Sequence, residues 1–180
     1  VGSDARFREF AERILDTPGA IHSVVMIGPE KYNQLYAKFG NLNKLLAWGH
    51  ARVIENLLEL HPECPRALSD QFGNPRLIKS ALLERGRAIV LEQRTKAESD
   101  FAVAAASILA RERFIDWLQK TGRKFGKPLH RGVSPQVKEV ARELVAAHGP
   151  EVLGQLAKTH FKTASEIAPS HYKAKESPVE

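Results

Sequence analysis

Three acidic residues in the middle of the chain combine a residue type and a position that suit metal-dependent chemistry. Asp70 closes a short apolar segment, and Glu98 and Asp100 stand where an alanine-rich segment begins. Carboxylate oxygens are preferred ligands of Mg²⁺ and Mn²⁺, and a carboxylate at the carboxyl end of a strand can coordinate a cation without burying an unpaired charge. The alternative interpretation of Asp70 is a turn aspartate that bonds its own backbone.

Glu98 also has two interpretations, and they are compatible. The residues Thr95-Lys96-Ala97-Glu98 match a T-x-x-E capping box, in which the glutamate bonds back to the backbone of the cap. In the first turn of a helix, the macrodipole also favours the ionised form that metal coordination needs. If the helix starts at Thr95, Glu98 lies on the side that faces the sheet, whereas Asp100 lies further round. We therefore prefer Glu98 as the ligand and keep Asp100 as the fallback.

Other kinds of site find less support in the sequence. Cys64 is the only cysteine, which excludes a disulfide framework and a Cys-based zinc site. The seven histidines show no metal-ligand spacing, and no Ser/His/Asp order or phosphate-binding loop occurs. Three basic residues are candidate substrate contacts through phosphate, although a solvated loop position is the simpler interpretation: Lys96, Arg131 and His160.

Length and composition indicate one soluble domain. Nucleic acid is one of the partners that its charge allows. The 180 residues are 43% hydrophobic, enough to bury a core. The 27 Lys and Arg against 21 Asp and Glu give a net charge of +6, which favours a polyanionic partner, although many soluble domains carry such an excess. There is no apolar run of about 18 residues and no signal peptide. We expect a cytoplasmic protein with no membrane association and no obligate protein partner.

The periodicity predicts alternating strands and helices. Strands are expected at 21–27, 66–71 and 88–93, and helices at 3–16, 30–39, 43–60, 75–85, 97–120, 135–148 and 150–158, with Gly86 as a C-cap. Crossovers of this length predict an α/β fold with a largely parallel sheet flanked by helices. The small side chains of the alanine-rich helix are expected in the core, and the polar residues 169–180 are expected to form a disordered tail.

Five segments, in order along the chain, resemble the type 2 ribonuclease H family, and ribonuclease HIII most of all. They are Ser23–Asn33, Leu46–Arg52, Ser69–Gly73, Lys96–Arg111 and Thr159–Thr163. The resemblance implies an RNase H-like fold and a catalytic domain over residues 1–168. The first strands of that fold are absent from this chain, which begins at Val1 without a methionine and enters a helical pattern at once, so we expect upstream residues to be missing.

The resemblance also implies a reaction. The family cleaves the RNA strand of RNA–DNA hybrids endonucleolytically, with two divalent ions, Mg²⁺ or Mn²⁺, held by four carboxylates. Matched by motif, Asp70 is the third carboxylate and Glu98 the fourth, with Asp100 as the fallback. The other two belong to an Asp-Glu-x-Gly motif that this chain does not contain. We therefore expect the residues as written to be inactive or nearly so.

Two alternatives remain open at this point. Ribonuclease HII, the sister group, carries a Lys-Gly-Tyr element whose tyrosine reads an RNA–DNA junction. The corresponding stretch here, His130-Arg131-Gly132-Val133-Ser134, has no tyrosine, which predicts poor incision at a single embedded ribonucleotide. The other alternative is a non-catalytic nucleic-acid-binding module that keeps the basic loops.

Overall fold

The computed structural model of the chain describes residues 2–173. These residues form two compact units. The first, called the sheet unit, comprises residues 2–26 and 39–115, and the second, called the helical unit, comprises residues 27–38 and 116–173. Among the described residues, no helix is both long enough and apolar enough to cross a membrane.

The elements confirm the predicted α/β class. In chain order they are α1 (Gly2–Leu15), α2 (Pro29–Phe39), α3 (Leu42–Leu60), β1 (Arg66–Asp70), α4 (Arg76–Ala81), α5 (Glu84–Arg87), β2 (Val90–Arg94), a 3-10 turn (Ala97–Ser99), α6 (Phe101–Phe125), α7 (Pro135–His148), α8 (Val152–Leu156) and α9 (Lys162–Ile167). Strands β1 and β2 pair in parallel, from Arg66 opposite Val90 to Asp70 opposite Arg94. The helical crossover between them is what a parallel pair requires.

The strand predicted at 21–27 is wrong, because these residues form neither helix nor strand. The sheet among the described residues has two strands, β1 and β2. β-Branched residues favour a strand only where a neighbouring backbone supplies the ladder hydrogen bonds. The segment is held instead by a side chain, since Asn56 Nδ2 donates to Ser23 Oγ at 3.2 Å. Ile21 and Met26 remain exposed.

Helix α3 organises the core of the sheet unit. Asn41 caps it through Oδ1, which accepts from Lys44 N at 3.1 Å. The buried face of α3 contacts α4 and α5. Two side chains of this crossover, Ile78 in α4 and Leu82 directly after it, are each 1% exposed. Each such aliphatic side chain contributes about 1.5–3 kcal/mol when fully buried. The burial fixes α3 against the crossover that leads from β1 to β2.

The single helix predicted at 75–85 is wrong, because the chain forms two short helices with a break at Leu83. The buried carboxylate of Glu55 explains the break, since its Oε1 accepts from Leu83 N at 2.7 Å and from Gly86 N at 2.9 Å. Gly86 is therefore not a C-cap but a buried residue of α5. A Cβ at Gly86 would lie 2.6 Å from Glu55 Oε1, so the position has no room for a side chain.

Helix α6 begins later and ends later than predicted. It runs from Phe101 to Phe125 instead of from 97 to 120. Its alanines are not the core residues that we expected, because Ala102, Ala106 and Ala110 are exposed. The described sheet is two strands wide and offers little surface to cover a helix of 25 residues.

The helical unit confirms one predicted helix closely. Helix α7 begins where the sequence predicts, with Pro135 in its first turn and Ser134 Oγ accepting from Val137 N at 3.3 Å. Asn33 ties α2 to the segment between α8 and α9, since its Nδ2 donates to Ala157 O and its Oδ1 accepts from Thr159 N, both at 3.0 Å. Helix α9 was not predicted.

The predicted disordered tail begins too early. Residues 169–173 follow α9 as a hydrogen-bonded turn, in which Tyr172 N donates to Ala168 O at 2.9 Å. The Tyr172 hydroxyl also donates to Pro150 O at 3.3 Å. The boundary at residue 168 therefore falls inside an ordered turn. The remainder of the predicted tail, residues 174–180, lies outside the described residues.

Candidate active site

Asp70 is the last residue of β1 and is half-buried. Its Oδ1 accepts a hydrogen bond from Ala97 N at 3.1 Å. The carboxylate thus bonds the segment that follows β2, not its own turn as the alternative interpretation required. No hydrogen bond from the described residues to Oδ2 is found, so one oxygen of an anchored carboxylate stays available.

Glu98 lies in the 3-10 turn immediately after Ala97 and is exposed. The capping box predicted for it is wrong, because α6 does not start at Thr95. Lys96 adopts a left-handed conformation, with φ of 55°, which interrupts any continuous helix from Thr95. Within the described part of the chain, Glu98 has no hydrogen-bond or ion-pair partner, and its carboxylate is free to bind a ligand.

Asp100 takes the capping role instead. Its Oδ1 accepts from Ala102 N at 2.9 Å, as the N-cap of α6 should. Its Oδ2 lies 3.8 Å from Arg94 Nη2. Both oxygens of Asp100 already have partners, which favours Glu98 over Asp100 as a metal ligand.

The hydrogen bond between Ala97 and Asp70 brings two acidic residues onto adjoining segments, with the 3-10 turn in contact with β1. Their oxygen donors fit a hard divalent cation such as Mg²⁺ or Mn²⁺. No group of three or more His, Cys, Asp or Glu side chains that could hold a metal ion occurs among the described residues. The structure therefore offers two carboxylates here, and their role as ligands stays a prediction.

Two residues beside Asp70 were missed by the sequence analysis. His50 Nδ1, on α3, lies 3.1 Å from Ser69 Oγ, and Ser69 Oγ donates to Asp70 O at 3.1 Å. Burial lowers the pKa of His50 below its ordinary value, and the negative charge of Asp70 offsets part of that shift. His50 lies on an apolar stripe of α3, four residues from both Leu46 and Ile54. A histidine on such a stripe requires a polar partner in the interior. Its position on the stripe was therefore the one feature of the sequence that could have indicated this contact.

The predicted substrate contacts fall in both units. Lys96 is exposed in the sheet unit, two residues before Glu98, and Arg131 is exposed in the helical unit, in the loop between α6 and α7. His160, also in the helical unit, is not a solvated loop residue. Its ring stacks on Tyr36 with 3.8 Å between centroids and packs on Phe161 at 4.1 Å. Contact of these three residues with a substrate stays a prediction.

The amino-acid sequence of this α/β chain matches a known family. The sequence model of the family described as Ribonuclease HII matches residues 3–164, so the chain belongs to the ribonuclease HII family. Within that family it is similar to ribonuclease HIII of Chlamydia felis, with 41% identity over 169 residues, which are 93% of this chain and 56% of the relative. It is likewise similar to ribonuclease HIII of Protochlamydia amoebophila, with 41% identity over 92% of this chain and 54% of the relative.

Solved structures confirm the RNase H-like fold. Bst-RNase HIII in complex with Mn²⁺ is similar to this chain with a TM-score of 0.79 and 28% identity, over 93% of this chain and 56% of that one. Aquifex aeolicus RNase H3 is similar with a TM-score of 0.61 and 29% identity, over 86% of this chain and 54% of that one. The resemblance to ribonuclease HIII is thus confirmed, and the chain spans about half the length of the proteins it matches.

Proposed function

We propose that this chain forms part of the active site of an endonuclease that hydrolyses the RNA strand of RNA–DNA hybrids with Mg²⁺ or Mn²⁺. One observation carries the proposal. The hydrogen bond from Ala97 N to Asp70 Oδ1, at 3.1 Å, holds a strand-end carboxylate beside the turn that carries Glu98. Membership of the ribonuclease HII family and the similarity to an RNase HIII that binds Mn²⁺ support the same conclusion.

Asp70 and Glu98 would hold the cation. A divalent ion held by these residues would supply a lowered pKa for the attacking water and would offset negative charge at the scissile phosphate. Asp70 contributes an oxygen whose direction is set before binding, because its other oxygen is anchored to a backbone N–H. Pre-set oxygens reduce the reorganisation that ligand binding would otherwise require. The remaining carboxylates, as the resemblance implies, belong to an Asp-Glu-x-Gly strand.

The substrate proposal rests on charge and on the chemistry of RNA. The chain has a net charge of +6, and Lys96 is exposed close to Glu98 in sequence, where it can meet a phosphate. We propose Arg131 and His160 as further contacts. The 2′-hydroxyl is the group that distinguishes the RNA strand from the DNA strand. We also propose a cytoplasmic location, with no membrane association and no obligate protein partner, for which the free Cys64 is suitable.

Cleavage of an end-labelled RNA–DNA hybrid tests the proposal. The chain is assayed alone and fused to the part of the Chlamydia felis ribonuclease HIII that it does not cover. With Mg²⁺ or Mn²⁺ we expect the fusion to cut the RNA strand, EDTA to stop it, and the chain alone to be inactive or nearly so. A folded fusion that leaves the hybrid intact would refute the proposal. Robust turnover by the chain alone, stopped by EDTA, would show that the missing ligands were misplaced.

A matched pair of substitutions in the fusion tests the choice of ligand. Glu98→Gln removes a free carboxylate, so kcat should fall about 10²–10³-fold, the range seen when one group that stabilises transition-state charge is lost, with little change in KM. Asp100→Asn keeps an oxygen that can cap α6 and should have a small effect. The opposite result would assign the role to Asp100.

One observation favours a second function, non-catalytic binding of nucleic acid. The described residues contain no group of three metal-capable side chains, so the chain alone could bind a hybrid without cleaving it. Binding that persists unchanged in EDTA, measured by fluorescence anisotropy of a labelled hybrid, together with an inactive fusion, would favour this alternative.

A further inference from the structure

A short hydrogen-bond relay links helix α3 to the end of β1. His50 Nδ1 lies 3.1 Å from Ser69 Oγ, and Ser69 Oγ donates to the carbonyl oxygen of Asp70 at 3.1 Å. Ser69 is only 6% exposed, so water has little access to this hydroxyl. The relay connects a histidine on one element to the backbone of an acidic residue on another.

The number of protons on the serine hydroxyl sets the direction of the hydrogen bonds in the relay. A serine hydroxyl has a single proton. When that proton goes to the Asp70 carbonyl, Ser69 Oγ can only accept from His50, so Nδ1 must carry a hydrogen. This holds whether the ring is neutral or charged, because a charged imidazole also donates from Nδ1. In the neutral ring the lone pair is then on Nε2.

The relay and the carboxylate anchor restrain Asp70 at two places. Ser69 bonds its carbonyl oxygen, and Ala97 N bonds its Oδ1 at 3.1 Å. The ring of Phe72 packs against the His50 ring with 4.9 Å between centroids and a tilt of 43°, which limits rotation of the imidazole. The end of β1 is therefore fixed from both sides, and with it the direction of the available Oδ2.

We infer that His50 is a positioning residue whose Nδ1–H, acting through Ser69, orients the Asp70 carboxylate for a divalent cation. This inference rests on the proposed function, in which Asp70 is a metal ligand. Groups that hydrogen-bond metal ligands typically change metal affinity 10–100-fold when they are removed. Because His50 acts through one intermediate, we expect the lower end, about tenfold.

Four variants separate positioning from a general effect on the fold. His50→Leu removes the donor at similar size, whereas His50→Asn places an amide nitrogen near the position of Nδ1 and can still donate. Ser69→Ala removes the intermediate. His61→Leu is the matched control, because His61 lies in the same unit but is exposed and contacts Glu63 at 3.2 Å.

The probe is Mn²⁺ alone, titrated into the 180-residue chain and followed by paramagnetic broadening of amide signals. His50→Leu and Ser69→Ala should each weaken binding about tenfold, and the double variant should be no weaker than either, because both act through one relay. His50→Asn should restore most of the affinity, and His61→Leu should leave it unchanged. Urea midpoints in EDTA show whether each variant is folded. If His50→Leu does not fold, the Mn²⁺ affinities of Ser69→Ala and His50→Asn test the inference in its place.

A spectroscopic result tests the relay directly. Long-range ¹H–¹⁵N correlations of the metal-free chain should identify Nε2 as the unprotonated nitrogen of the neutral His50, and an Nε2–H tautomer would overturn the inference. Unchanged Mn²⁺ affinity in folded His50→Leu, with weakened affinity in Asp70→Asn, would overturn it while the metal site stands. Unchanged affinity in Asp70→Asn would overturn the metal site and the role of His50 together.

Discussion

Replacing Asp70 by asparagine or by alanine separates the structural contribution of this side chain from its proposed role as a ligand. Asparagine keeps an Oδ1 that can accept from Ala97 N, the bond of 3.1 Å that joins the strand end to the turn, but it removes the charge. Alanine removes both. A hydrogen bond to a charged group contributes about 1.5–3 kcal/mol to stability, and because Asp70 is only half-buried we expect about 1–1.5 kcal/mol here.

The free energy of unfolding should therefore fall by about 1–1.5 kcal/mol in Asp70→Ala and by about 0.5 kcal/mol or less in Asp70→Asn. Both variants should lose most of the Mn²⁺ affinity, because each lacks the anionic oxygen. Urea unfolding in EDTA gives the first quantity and Mn²⁺ titration the second. Asp116→Asn is the control, since Asp116 bonds Lys120 on the surface of α6 at 2.7 Å and should leave Mn²⁺ binding unchanged.

Two results would refute this reasoning about Asp70. If Asp70→Asn destabilises the metal-free chain as much as Asp70→Ala, the hydrogen bond to Ala97 depends on the charge and the two roles cannot be separated. If both variants bind Mn²⁺ as tightly as the original chain, Asp70 is not a ligand. Asp70→Asn with near-original stability and weak Mn²⁺ binding supports both halves of the argument.

Three further predictions concern other parts of the molecule. Glu55→Ala leaves the N–H groups of Leu83 and Gly86 without their acceptor and should lower the free energy of unfolding by about 2–5 kcal/mol. Glu55→Gln keeps an oxygen that can accept and should lower it by about 1 kcal/mol. Equal urea midpoints for the two variants would contradict this prediction. Burial raises the pKa of Tyr32 to about 12, above its ordinary value, because the buried site disfavours the charged phenolate. The stabilisation of the folded state by neutral Tyr32 is therefore complete at lower pH. It is lost as the pH rises toward that value, since the tyrosine of the unfolded chain ionises first. Between about pH 9 and about pH 11 the loss should be about 1.4 kcal/mol and absent from Tyr32→Phe, as urea unfolding of both proteins at each pH would show. The active fusion should cut an all-RNA hybrid strand well and a duplex with one embedded ribonucleotide poorly, because Val133 stands where a junction-reading tyrosine would be, and comparable cleavage of the two substrates would contradict this.

The strongest predictions came from local chemistry and from motif order. Ser134-Pro135 predicted the start of α7, because a serine cap followed by proline satisfies the first turn without any distant partner. Asp70 at a strand end was predicted in the same way, from a short apolar segment that runs into turn residues. The predicted metal role of Asp70 and Glu98 depends on the family resemblance and remains to be tested.

Two of the failures, at 21–27 and at 75–85, depend on distant residues. The segment 21–27 has strand propensity but no ladder partner among the described residues. The helix predicted at 75–85 breaks at Leu83 because Glu55, far away in sequence, accepts its N–H. Periodicity contains no information about whether a distant partner is present. Local patterns could therefore not have predicted the missing ladder partner or the bond from Glu55.

The sequence by itself determined the family, the α/β class and which acidic residues deserve attention, because motifs and short-range hydrogen bonding are written in neighbouring residues. Only the tertiary structure decided that Ala97 N anchors the Asp70 carboxylate beside the turn that carries Glu98, and that His50 reaches Asp70 through Ser69. Those assignments depend on how the turn after β2 and the face of α3 meet the end of β1. Contacts between these elements are set by long-range packing and hydrogen bonding. The role of each side chain there depends on partners that are remote along the chain.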